Sequence, residues 1–295
     1  MDADNAIPFF SLNDADTPRE ARLGEALAAR GAIVLLDHGI DVSRMSAATR
    51  AAERVFALPQ DVKARYQGPN DGSQRGFLPV RTQLPNGLQS LDRKEAWHAR
   101  TAAHAATNLF PPEVPELERE WLPLIDDLER ISRVVLASIG AHLGRPRGTL
   151  EDTIAGGDSL FRANYYPPGD GQAEDVPGRQ RFLPHQDFDL VTLLFGSSGP
   201  GLEVQDRSGR WQAVSAPAEA VVAIVGDLLD VESEGAIPAT PHRVVASPGD
   251  AGARYSMVYF VSPRPEVRLR NGETAGAIVD ARLALAGYAD EASAR

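Results

Sequence analysis

Cysteine is absent from the 295 residues. That removes disulfides, thiolate metal sites, iron–sulfur clusters and a cysteine nucleophile together, so any metal must sit on His, Asp or Glu. Basic side chains are outnumbered, 30 Lys and Arg against 41 Asp and Glu, for a formal charge of -11. A field of that sign repels nucleic-acid phosphates and anionic lipid headgroups, which excludes both as expected partners and leaves a small molecule. No apolar run approaches the ~20 residues a membrane-spanning helix needs, and MDADNAIPFFS is acidic where a secretory leader is basic. The sequence therefore reads as a complete cytoplasmic protein. GxxxxGK and GxGxxG loops are also missing, so nucleotide chemistry has no support. What is present suffices for a sizeable core: 43% of residues are hydrophobic and 24% charged, near the average for globular proteins.

The chain changes texture along its length. Residues 18–30 carry a charged, alanine-rich helical pattern that stops at Gly31, and GAIVLLDHGI follows as a buried strand and turn. A second helix is predicted over 43–57. From Leu117, apolar residues at Trp121, Leu124, Leu128, Ile131, Val135 and Ile139 mark one face of a long helix, whose start is expected to be shifted by Pro123. After about residue 155 short β-rich runs alternate with Gly/Pro-rich connectors at 167–180, 199–201 and 247–253, the texture of a sandwich or barrel.

Three β-rich segments carry polar residues in alternation. LPHQDFDLVTLLF places His185 and Asp187 two apart in a predicted strand, on one face and about 7 Å from each other. An HxD is a weak signal alone, since surface polar residues at a strand edge give it too. PHRVVASPGDAGARYSMVYFV adds His242, then a strand with Arg254, Ser256, Val258 and Phe260 on one face. Two His and one carboxylate form the facial set that leaves three positions of iron(II) open, although zinc hydrolases use similar ligands. FRANYYPPGD sets Arg162, Asn164 and Tyr166 on one face of a third strand, and read alone these could be the solvated side of an outer strand.

In the order NYYPP, HxD, GD, PHRV and RYS, preceded by IPFFSL, DHGI, FALPQDVKARY and RGF, the chain resembles the isopenicillin N synthase-like family of Fe(II)/2-oxoglutarate-dependent oxygenases over most of its length. The resemblance implies a mainly β fold, a double-stranded β-helix or jelly roll with flanking helices and a helical N-terminal region. The division that follows is 1–115 packing on the core, 116–150 as a long supporting helix, 151–265 as the oxygenase core and 266–295 as a C-terminal segment. It implies His185, Asp187 and His242 as iron ligands and as the catalytic centre. Arg254 and Ser256 would hold the distal carboxylate of 2-oxoglutarate, assisted by Asn164 and Tyr166. Dioxygen is the other implied cosubstrate, and the implied outcome is hydroxylation, desaturation or cyclisation of a small metabolite with release of succinate and CO2. An iron oxidase that needs no 2-oxoglutarate, and an inactive jelly-roll binding module, are the alternatives.

Segment position nominates Arg162, His98, Trp97, Arg75, Phe77, Leu194, Trp211 and Phe260 as pocket walls, with Arg162 suited to an anionic or phenolic group. For the aromatics the competing reading is ordinary core. Asp189 shares the predicted strand face with Asp187 and is assigned a supporting or solvated place. His38, His104 and His142 are assigned no ligand role. ESEGAIPATPHRV lacks the Ser-Asn-Gly run common in that family before its second histidine. The motifs specify neither substrate nor oligomeric state.

Overall fold

Long β-branched and aromatic runs with period-two polarity can bury both faces only between two other layers. In the computed structural model, which describes residues 7–13, 17–68, 74–80, 94–168, 180–196, 200–245 and 252–286, they do so as two sheets with helices outside one of them. Of the expected connectors, 169–179, 199 and 247–251 lie outside the described residues.

The larger sheet contains β1 (Phe9–Ser11), β2 (Ala32–Leu36), β3 (Gly76–Leu78), β4 (Glu95–Arg100), β5 (Leu160–Tyr166), β7 (Val191–Phe195), β10 (Val221–Val225) and β12 (Arg254–Val261). Their spatial order is β1-β2-β10-β7-β12-β5-β4-β3. The smaller sheet holds β6 (Gln180–His185), β8 (Leu202–Gln205), β9 (Trp211–Ala213) and β11 (His242–Val245), in the order β6-β11-β8-β9. From β5 to β12 the chain alternates between sheets at every step except the β8–β9 hairpin, the winding of a double-stranded β-helix. The N-terminal region supplies two strands to each edge of the larger sheet.

Helices α1 (Thr17–Arg30), α2 (Val42–Phe56) and α4 (Glu116–His142) pack outside that sheet, α3 (Gln60–Ala64) follows α2, α5 (Asp227–Glu232) follows β10, and α6 (Ala275–Leu285) ends the described chain. α4 buries the stripe expected from its periodicity. Its start is not displaced by Pro123, which lies inside the helix and is exposed. Arg119, whose carbonyl loses its N–H partner to the proline, is itself an exposed residue, so water can satisfy that carbonyl. No helix among the described residues is long and apolar enough to cross a membrane.

Strand parity divides the core. Phe161, Ala163, Met257 and Tyr259 face the helices, where Trp121 meets Phe161 edge-to-face at 4.8 Å. Between the sheets, Ile7, Val34, Leu202, Val204, Val222 and Ile224 fill one end. The other end stays open as a cavity of about 560 Å³.

Candidate active site

β6 and β11 are antiparallel neighbours with His185 and His242 directly paired, so the two imidazoles lie side by side with ring centroids 4.2 Å apart. The pairing slips between His242 and Val244, a bulge in which Leu183 and Pro184 together oppose Arg243; Pro184 has no N–H to give the ladder and sits on an edge strand. Asp187 is not on the strand as expected: β6 ends at His185, and residues 186–190 form a turn before β7. The turn folds the carboxylate back, Oδ1 3.5 Å from His185 Nε2 and Oδ2 3.4 Å from His242 Nε2. One ligand atom from each of the three residues lies within 4.8 Å of the others.

Both rings are oriented from behind. Nδ1 of His185 lies 2.8 Å from the Leu183 carbonyl and Nδ1 of His242 3.3 Å from that of Thr240. A proton on each Nδ1 leaves the Nε2 lone pairs aimed at the shared space. Burial lowers the His242 pKa to about 4 despite the opposing pull of Asp187, so the ring is neutral at pH 7. Burial pushes the Asp187 carboxyl up, but His242, His185 and the Thr192 hydroxyl together hold it below the usual carboxylate range. Thr192 Oγ1 is 2.5 Å from Asp187 Oδ2 and 2.9 Å from Asp189 Oδ2. Asp189 is fully buried, not solvated, and burial and then Asp187 push its pKa well up. Two imidazole nitrogens and a carboxylate suit a divalent metal of intermediate hardness.

The inner faces of β5 and β12 form the next wall. Their register pairs Tyr166 with Arg254, Asn164 with Ser256 and Arg162 with Val258, and all six line the cavity. Arg254 is 2% exposed, and its guanidinium lies 5.4 Å from the Tyr166 ring centroid. Asn164 Nδ2 donates to Ser256 Oγ at 3.3 Å, while Asn164 Oδ1 is buried with no hydrogen-bond partner. A guanidinium, a hydroxyl and an unmet amide oxygen in one buried corner suit a polar, anionic occupant.

Leu194 and Phe260 also line the cavity. His98 stands behind it, accepting from Arg162 Nε at 2.8 Å. Trp97 and Phe77 are corrections. Pairing of Trp97 with Ala163, and of Phe77 with Trp97, puts both on the helix-facing side, where the indole N–H donates to the Leu109 carbonyl at 3.1 Å. Trp211 is a further correction: opposite Gln205 on β9, it lies on the outer face under the Arg243 guanidinium, 4.2 Å from its centroid. Arg75 does not line the cavity, whereas its neighbour Gln74 does. Lys94, Arg100, Phe182 and the α6 residues Val279, Asp280 and Leu283 line it without having been nominated. Extending the alternation of His98 by two residues in KEAWHAR would have found Arg100; nothing in AGAIVDARLAL signals a wall. His38 is structural, with Nδ1 accepting from the Ile40 N–H at 3.2 Å and Nε2 2.7 Å from the Glu219 carbonyl.

Residues 157–263 match the family model of the 2OG-Fe(II) oxygenase superfamily, and residues 7–116 that of the N-terminal region of non-haem dioxygenases in morphine synthesis. The chain is 28% identical to validamycin A dioxygenase of Streptomyces hygroscopicus subsp. limoneus, over 90% of this chain and 79% of that protein. It is 27% identical to gibberellin 2-beta-dioxygenase 2 of Arabidopsis thaliana, over 88% and 75% respectively. Among solved structures, a 2OG-Fe(II) oxygenase family protein from Caulobacter crescentus superposes with a TM-score of 0.83 at 30% identity, covering 95% of this chain and 98% of that one. With residues 7–116 and 157–263 matched by the two family models, and a 30% identical relative covering 95% of the chain, the chain belongs to the 2OG-Fe(II) oxygenase superfamily.

Proposed function

We propose that the chain is a non-haem Fe(II)- and 2-oxoglutarate-dependent oxygenase that hydroxylates, desaturates or cyclises a small organic metabolite. His185, Asp187 and His242 hold the iron, and Arg254 and Ser256 hold the distal carboxylate of 2-oxoglutarate. The observation that carries this reading is the convergence of two imidazoles and a carboxylate within 4.8 Å beside a cavity whose adjoining wall bears a buried arginine. Held there, Fe(II) and 2-oxoglutarate would supply the oxidising chemistry, with dioxygen as oxidant and succinate and CO2 as the products of the oxo-acid.

The rest is the work of the chain's own residues. The backbone carbonyls of Leu183 and Thr240 fix both rings, and the Thr192 hydroxyl fixes the Asp187 carboxylate. Arg254 offers a planar fork and Ser256 a hydroxyl to one carboxylate, with Asn164 steadying the serine. Leu160, Leu194, Val258 and Phe260 give the substrate an apolar wall that excludes water. Metal analysis and a succinate assay test the reading. One Fe(II) per chain is expected in the wild type, and His185→Ala, Asp187→Ala and His242→Ala should each lose succinate formation while keeping the wild-type circular dichroism. Undiminished turnover in any of the three would refute the ligand assignment.

A further inference from the structure

Four cationic side chains line the cavity: Lys94, Arg100, Arg162 and Arg254. Arg254 is taken by the cosubstrate in the reading above. Arg100 is paired with Asp158 at 2.5 Å and donates to the Asp158 carbonyl at 2.6 Å. The Lys94 ammonium sits 3.0 Å above the Phe182 ring. Arg162 differs from these. Its Nε donates to His98 Nε2 at 2.8 Å and its Nη2 to Gln74 Oε1 at 3.0 Å, both uncharged acceptors. Its guanidinium lies 4.7 Å from the Phe260 centroid. No carboxylate among the described residues forms an ion pair with it. Those contacts use two of its five N–H groups and fix the plane, which leaves the Nη1 side for a partner.

Position says what that partner is attached to. Arg162 shares its face with Asn164 and Tyr166, four residues from the one paired with Arg254, or about 13 Å along the sheet. Around it the wall is Leu160, Leu194, Val258 and Phe260, roofed by Val279 and Leu283 of α6. The acids nearby do not compete for it. Asp158 is taken by Arg100, and Asp280 is exposed and forms no ion pair with Arg162 among the described residues. One uncommitted guanidinium in an apolar surround matches a single negative charge; a phosphate dianion would call for more.

We propose that the prime substrate is a largely apolar monocarboxylic acid whose carboxylate is clamped by Arg162 while its hydrocarbon body extends along Val258 and Leu194 towards the metal centre. The proposal rests on the oxygenase reading, and its test separates the two. Protein loaded with Mn(II) and saturating 2-oxoglutarate, so that the Arg254 site is filled, is titrated without oxygen by ligand-observed NMR. The probes are hydrocinnamic, cyclohexylacetic and naphthoic acids, their primary amides, and phenyl phosphate. At least one acid is expected to bind about 10- to 100-fold more tightly than its amide, the worth of a charge-assisted hydrogen bond. Arg162→Gln should abolish that preference with 2-oxoglutarate affinity and thermal midpoint unchanged, and Arg162→Lys should restore part of it. The proposal is overturned if no acid binds more tightly than its amide, if phenyl phosphate binds best, or if the preference survives in Arg162→Gln. Failure of the loaded wild type to take up 2-oxoglutarate overturns the oxygenase reading itself, and this proposal with it.

Discussion

At the residue scale, a proton and the proposed metal would compete for the same imidazole lone pairs. His242 is buried and its pKa falls to about 4, against about 6.5 in an unfolded chain. Above pH 6.5 neither state is protonated there, and below pH 4 both are. Between these limits the unfolded chain binds a proton that the folded chain refuses, so stability must rise with pH through that window. The contribution is about 3 kcal/mol. Asp189, with a raised pKa, acts with the opposite sign and loses stability as pH rises above its unfolded value. The His242 share is therefore read as a difference: urea unfolding of metal-free wild type and His242→Gln should diverge with pH between 4 and 6.5. Parallel curves would mean that His242 is not buried as a neutral ring. Thr192→Val is the second residue-scale case. It keeps the shape but removes the hydroxyl that bridges Asp187 and Asp189. Calorimetry with Mn(II) should show affinity weakened about 10- to 100-fold, the usual cost of deleting a partner behind a ligand; unaltered affinity would show that the turn alone positions Asp187.

At the scale of elements, the site depends on a turn more than on a strand. The Asp187 carbonyl accepts from Asp227 N–H at 2.8 Å and the Asp189 carbonyl from Leu228 N–H at 2.9 Å, which ties the turn after β6 to the start of α5. Gly226 lies against it: a Cβ there would come within 2.3 Å of the Asp189 carbonyl oxygen. Gly226→Ala should therefore displace the turn and cut metal affinity as well as stability, measured by the same calorimetry and by urea unfolding. Loss of stability with full metal affinity would separate the two. This turn also marks where sequence reasoning reached its limit. Alternation correctly put Arg162, Asn164 and Tyr166 on one face of β5 and Arg254, Ser256 and Phe260 on one face of β12, because both strands are long and paired on both sides. The same rule carried past His185 failed, since β6 is an edge strand that ends there and nothing in QDFD marks the break. Trp97 and Trp211 were nominated by residue type and segment, and parity against β5 and β8 assigns each to the other face. The α6 wall was not legible, since an apolar helix carries no record of which cavity it covers.

For the whole molecule, the two faces of the larger sheet divide the labour. The outer face is a closed aromatic and aliphatic core under α2 and α4, and the inner face holds buried Asn164, Arg254 and Ser256, polar groups that would be costly to gather without that core. Trp121→Ala, on the helix side, should lower unfolding stability by about 3–5 kcal/mol yet leave Mn(II) affinity of the folded protein unchanged. A matching loss of metal affinity would show that the two faces are coupled. The proposed function puts a metal at His185, Asp187 and His242 and 2-oxoglutarate at Arg254 in one cavity. Its most direct test is calorimetric titration of 2-oxoglutarate into oxygen-free wild type and Arg254→Gln, each with and without Mn(II). Tight one-to-one binding is expected only in metal-loaded wild type, and at least about 100-fold weaker binding in Arg254→Gln, the cost of breaking a desolvated charge pair. Binding that ignores the metal, or that survives the loss of the Arg254 charge, would contradict it.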